Sequence, residues 1–329
     1  MDRAGCPWPD DLHRCRVVMY VQDTFGALSL LGCIFVIFVI WLYEKYNNYV
    51  QRLILFMTIS AAIHSISVLI GDFYTSGHAC VLQGFLMQFS GWAVIMWISC
   101  ISLHMFLMLK NVQSPKRFEK YFHIASWSMA TFWSVWPLFF NKYDNAGIWC
   151  WISMDATALR FGVWYIPIYT ITILLLLFYI YIIHTAIKQK RQWTGVLSQF
   201  EDDRRKELMA QVKPLAAYPL IYILLNIPSL ILRIDDATSG SNVYPNYGIT
   251  ILAVLCSPFI GAAIAIAFAL DRATLAYLKP SEIMVTLRNR FTGGGNTRIT
   301  HDYEVQDTVG TSSESSPESS YDSNTVVTI

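Results

Sequence analysis

The sequence predicts an all-α membrane protein: a seven-transmembrane helix bundle followed by an amphipathic C-terminal surface helix. Three observations carry that reading. Of 329 residues, 54% are hydrophobic and only 14% are charged, against a charged fraction of about 25% in soluble domains. Seven long runs contain no Asp, Glu, Lys or Arg: 24–43, 53–71, 73–109, 121–141, 161–187, 214–232 and 237–270. Each supplies the roughly 20 apolar residues that cross a hydrocarbon core about 30 Å thick with the backbone bonded internally. Finally, segment 271–290 interleaves Leu275, Leu278, Ile283, Met284 and Leu287 with Arg272, Lys279, Arg288 and Arg290, as in a helix lying along a membrane surface.

Taken in order, the spans fall at 19–43, 53–74, 80–109, 121–140, 161–187, 214–234 and 248–270. The two longest runs each include a polar connector, Thr75 to Ala79 and Thr238 to Asn246, so each holds one span. Residues 1–18 are a short N-terminal segment whose charges, Asp2 to Arg16, leave no apolar core for a signal peptide. Pro167, Pro219 and Pro228 predict kinks in helices five and six that could act as pivots. Pro280 is expected to bend or split the surface helix. Residues 291–329, with a Gly293-Gly294-Gly295 run and many serines among acids, read as a disordered tail. An odd number of spans places the termini on opposite faces. Connections 44–52, 110–120, 188–213 and the segment 271–329 hold 18 of the 24 Lys and Arg residues, which predicts a plasma-membrane protein with these segments cytoplasmic and the N-terminus extracellular.

A net charge of +1 excludes nucleic-acid binding by bulk charge. No GxSxG, HExxH or Walker loop is present, so the chain reads as a non-enzyme that needs no cofactor or metal. Helix seven has no Lys, which excludes a retinal Schiff base. His64 and His104 lie mid-span without partners at metal-ligand spacing and read as hydrogen-bonded core histidines. Cys80 and Cys150 both fall on the outer face, where a bridge is the natural reading and two buried thiols the alternative. Cys6 and Cys15 are a second candidate pair, while Cys33, Cys100 and Cys256 read as packing residues.

Arg160, at the start of helix five, and Arg233, at the end of helix six, mark the outer rim. Arginine's planar fork suits a phosphate or carboxylate. It equally suits an interfacial anchor, with Asp155 as partner for Arg160 and Asp235 or Asp236 for Arg233. Trp149, Trp151, Tyr165, Tyr244 and Tyr247 surround the same mouth, either to stack on a flat ligand ring or as an interfacial belt. On the inner face Lys110, Lys116, Arg117, Lys188, Arg204 and Arg205 permit a G-protein contact, and positive-inside topology alone also accounts for them. Tail residues Ser312, Ser313, Ser315, Ser316, Ser319 and Ser320 are candidate phosphorylation sites, and Val327-Thr328-Ile329 resembles a weak PDZ ligand.

Arg117-Phe118-Glu119-Lys120-Tyr121-Phe122, then Trp149-Cys150-Trp151-Ile152 and Arg160-Phe161-Gly162, resemble the cyclic-AMP receptor family, class E of the G-protein-coupled receptors. The resemblance runs from Cys80 through helix six. It implies a seven-helix receptor that couples to heterotrimeric G proteins and, in founding members, binds extracellular cyclic AMP. It also implies a Cys80–Cys150 bridge and assigns Arg160 and Arg233 to the family's basic positions. Helix three ends Met108-Leu109-Lys110 rather than in a DRY triplet, and helix seven carries Ser257-Pro258-Phe259 rather than NPxxY; class E members lack those motifs too. The expected mechanism is a small, anionic, cyclic-AMP-like ligand beneath the second outer loop, with helix six swinging outward at its inner end. A seven-helix transporter or channel, or a membrane scaffold acting through its tail, are the competing readings.

Overall fold

The computed structural model describes residues 8, 11–70, 77–110, 115–146, 149–192, 214–238, 246–271, 274–275 and 278–292. Helix α1 runs Leu12–Leu42, α2 Tyr49–Ile70, α3 His78–Leu109 and α4 Glu119–Phe139. Two short strands follow, β1 Tyr143–Asn145 and β2 Cys150–Ile152. Helix α5 is a continuous rod of Thr157–Arg160, a π-helical turn Phe161–Tyr165, and Ile166–Gln192. Then come α6 Ala217–Thr238, α7 Tyr247–Cys256, α8 Ile260–Leu270 and the surface helix α9 Pro280–Thr292.

Among the described residues α1, α2, α3, α5 and α6 are long and apolar enough to cross a membrane, and α7 with α8 qualifies as one broken span bent by 51°. The seventh rod, α4, has 21 residues but is richer in polar and indole groups. Three of its hydroxyls are satisfied within the helix: Ser128 donates to the Ile124 carbonyl, Thr131 to Trp127 and Ser134 to Ala130. Such back-bonding lets a membrane helix carry hydroxyls without unmet donors.

Several rods begin before the predicted boundaries, because charged residues at their ends are paired instead of terminating the helix. Asp11 caps α1 by accepting from the Arg14 backbone N–H at 3.3 Å and ion-pairs with the Arg14 guanidinium at 2.9 Å. Arg52, inside α2, is held by Glu119 of α4. The seventh span, expected at 248–270, is present as α7 and α8 with a break at Pro258. Proline has no N–H for the Val254 carbonyl, and residues 257–259 form a turn between α7 and α8.

Helix α3 is the spine. It packs against α2, α4, α5, α6 and both strands, and 72% of its most apolar window is buried, against 22% for α5. Trp92, Ile95, Trp97, Ile98, Ile101 and Met105 fill the core along it. A small-residue seam joins α1 to α8, where a Cβ on Gly261 would lie 2.4 Å from Ser29 Oγ and 2.5 Å from Cys33 Sγ. The Gly261 N–H donates to Ser29 Oγ at 2.9 Å, and Ser65 of α2 donates to the same oxygen at 2.9 Å.

Pro280 occupies the first position of α9, where its missing N–H costs nothing, so the segment 271–290 is split there. Arg290 of α9 ion-pairs with Glu44, donates to the Trp41 carbonyl at 3.2 Å and covers the Trp41 ring at 5.4 Å. Those contacts pin α9 beneath the end of α1. Met284, Val285 and Phe291 remain exposed on it.

Candidate functional site

After α4 the chain reverses through Asn141, at φ 50°, and the Lys142 N–H closes on the Pro137 carbonyl at 2.8 Å. The antiparallel strands that follow pair Tyr143 with Ile152 and Asn145 with Cys150. This hairpin is fastened to α3 by the Cys80–Cys150 disulfide. It is also fastened by amides: the Cys150 N–H donates to Gln83 Oε1 at 3.1 Å and Trp151 Nε1 donates to Gln88 Oε1 at 2.9 Å. The buried Tyr143 hydroxyl donates to the Ser134 carbonyl at 2.9 Å, and desolvation raises its pKa above the ordinary tyrosine value.

Pro167 shapes the entry to α5. It has no N–H for the carbonyl four residues earlier, that of Val163. The π-helical turn presents this carbonyl to α3, where Gln88 Nε2 donates to it at 3.2 Å and Trp92 Nε1 at 3.3 Å. Gln88 thus holds Trp151 with its oxygen and α5 with its nitrogen.

The two predicted arginines are brought together over aromatic rings. The Arg160 guanidinium lies 5.4 Å from the Trp151 ring centroid, and Arg233 lies 5.0 Å from that of Tyr165. Trp151 and Tyr165 meet edge to face at 5.8 Å. Arg160 directs Nε to the Ile152 carbonyl at 2.9 Å, with Nη2 on the same oxygen, so it also braces the hairpin. Asp155, the alternative partner for Arg160, accepts a hydrogen bond from Lys142 Nζ at 2.6 Å instead. That hydrogen bond is the largest cause of an Asp155 pKa lowered from 3.8 to about 2.

Trp149 is half-buried and packs both against the hairpin cluster and against Trp8, Cys15, Val18 and Val254. Trp8, 4% exposed, meets Tyr247 edge to face at 5.5 Å, and Arg14 covers that ring at 5.1 Å. Cys15 is disulfide-bonded, while Cys6 and Tyr244 lie outside the described residues. Cys33, Cys100 and Cys256 are free and buried, as expected of packing residues.

At the opposite, basic end Lys110, Arg117 and Lys188 are exposed. The Lys116 side chain, Arg204, Arg205 and the tail serines Ser312, Ser313, Ser315, Ser316, Ser319 and Ser320 lie outside the described residues. Sequence reasoning missed the pairing of Arg52 with Glu119, bidentate at 2.5 and 2.6 Å, with Arg52 Nη1 also donating to the Tyr46 and Asn47 carbonyls. A carboxylate and a guanidinium at the same end of neighbouring helices was the available signal. His64 fits the hydrogen-bonded expectation, with Nδ1 3.2 Å from Ser90 Oγ. His104 does not, since neither ring nitrogen has a hydrogen-bond partner among the described residues.

A sequence profile described as slime mold cyclic AMP receptor matches residues 10–293. The chain belongs to the slime mold cyclic AMP receptor family. Cyclic AMP receptor 1 of Dictyostelium discoideum is 23% identical over 66% of this chain and 54% of its own length. Cyclic AMP receptor-like protein A of the same organism is 25% identical over 74% of this chain and 61% of its own. The match thus spans less than two thirds of either relative. G-protein coupled receptor 157 of Mus musculus is 25% identical over 74% of this chain and 79% of its own. Squid rhodopsin superposes with a TM-score of 0.63 at 12% identity, covering 89% of this chain and 88% of the other. That likeness concerns the seven-helix bundle alone. Family and bundle together describe a multi-span membrane protein of the G-protein-coupled-receptor type.

Proposed function

We propose that the protein is a plasma-membrane receptor that senses a small extracellular anion, with cyclic AMP the first candidate, and activates a heterotrimeric G protein. The disulfide end faces outward, the basic end and the tail from residue 291 face the cytoplasm, and Lys110, Arg117 and Lys188 belong to the G-protein surface. The supporting observation is the convergence of Arg160 and Arg233 on the Trp151 and Tyr165 rings beneath a covalently fixed hairpin. Two guanidiniums beside aromatic rings offer charge to a phosphate and a flat face to a base. Binding shifts the receptor only through its differential affinity for two states, and a ligand bridging α5 and α6 is placed to do so.

The test is nucleotide exchange on a panel of G proteins by purified full-length protein, titrated with cyclic nucleotides and other small anions. Arg233→Gln should displace the dose curve roughly 10- to 150-fold, the loss of a charge-assisted hydrogen bond of about 1.5–3 kcal/mol. Arg160→Lys keeps the charge and loses the fork. Unchanged dose curves in both variants, with normal expression, would reject the anionic site.

A further inference from the structure

Tyr49 opens α2 and His104 lies on α3, where both are core residues with 4% and 2% of their surface exposed. Their rings meet edge to face with centroids 5.0 Å apart. The Tyr49 hydroxyl and both His104 ring nitrogens are enclosed, yet none has a hydrogen-bond partner among the described residues. The nearby guanidinium of Arg52 is already committed to Glu119 and to the Tyr46 and Asn47 carbonyls.

Buried polar groups of this kind are satisfied in native proteins. A neutral imidazole offers one donor and one acceptor, and a phenol offers both. Water, with two donors and two acceptors, can bond the phenol and one ring nitrogen of His104 in either tautomer, and buried waters characteristically take two to four such partners. We propose that a buried water molecule bridges the Tyr49 hydroxyl and the His104 imidazole, forming a hydration site that ties α2 to α3 at the basic end of the bundle. The site is independent of the ligand and coupling reading.

Hydroxyl-radical footprinting of the full-length protein in lipid nanodiscs tests it, because radiolysis of a bound water labels the side chains that hold it. His104 and Tyr49 should be oxidised several-fold faster than Phe268, an aromatic that is equally buried at 2% exposure. Labelling no faster than Phe268 would overturn the proposal. Thermal unfolding of Tyr49→Phe, His104→Leu and the double variant gives a second reading. A shared water predicts that the double variant is no less stable than the weaker single variant. Additive losses in Tm count against the bridge.

Discussion

Gln88 joins three elements through two atoms, so its replacement has a calculable consequence. Gln88→Leu leaves Trp151 Nε1 without its acceptor and the Val163 carbonyl with Trp92 alone. Leaving a buried polar group unmet costs about 1–3 kcal/mol. A fall in stability of that scale is expected in thermal unfolding. At the surface, Asp155 has a folded-state pKa lowered from 3.8 to about 2, chiefly by Lys142. A depressed carboxylate contributes stability above its unfolded pKa and loses it as pH falls through the folded one. The small Tm difference between the native chain and Asp155→Asn should therefore be level near neutrality and disappear between pH 3.8 and about 2. High salt should shrink it, since the pair is exposed. Arg160 and Arg233 were legible in the sequence because charges interrupt apolar runs. Gln83 and Gln88 were not: amides lie silently inside a charge-free stretch, and only the fold shows what they hold.

Helices meet most closely where a side chain is missing, and the two glycines Gly261 and Gly162 show opposite cases. A Cβ at Gly261 would meet Ser29 Oγ at 2.4 Å and the Ser29 carbonyl at 3.0 Å, so α8 must move away from α1. Gly261→Ala is expected to cost about 1–3 kcal/mol, as overpacked cores do. Gly162 lies in the π-helical turn with nothing within 4 Å of its would-be Cβ. There Gly162→Ala should raise stability by about 0.5–1 kcal/mol through lower chain entropy. Opposite Tm shifts from one chemical change are the check. At this scale the helices themselves were legible, because a membrane imposes one length and one composition. Their ends were not, since Arg14 and Arg52 find partners and let α1 and α2 run on. The hairpin escaped notice because strands of three residues, Tyr143–Asn145 and Cys150–Ile152, are too short to show alternation.

Across the whole molecule, the two ends of the bundle are held by different forces. At one end a covalent bond, two glutamine amides and the edge-to-face contact of Phe85 with Tyr143 fix the hairpin to α3. At the other, the Arg52–Glu119 and Arg290–Glu44 ion pairs join α2 to α4 and α9 to the end of α1. These pairs have side chains 23–36% exposed and are open to screening. Perturbations should therefore stay local. The Cys80–Cys150 bridge spans a sequence separation of 70 residues, which in the chain-entropy model stabilises the fold by roughly 4 kcal/mol. Replacing both cysteines by serine should lower Tm and accelerate amide exchange in the hairpin and the first turns of α3 and α5. Exchange along the α1–α2–α8 seam, anchored by Ser29, should change little. Glu119→Gln should do the reverse, loosening the start of α4 and the turn at Tyr46 and Asn47 while the hairpin stays protected. If either variant loosened both ends equally, the bundle would have to be treated as one cooperative unit, and a ligand at the disulfide end could then act on the basic end without a separate hinge.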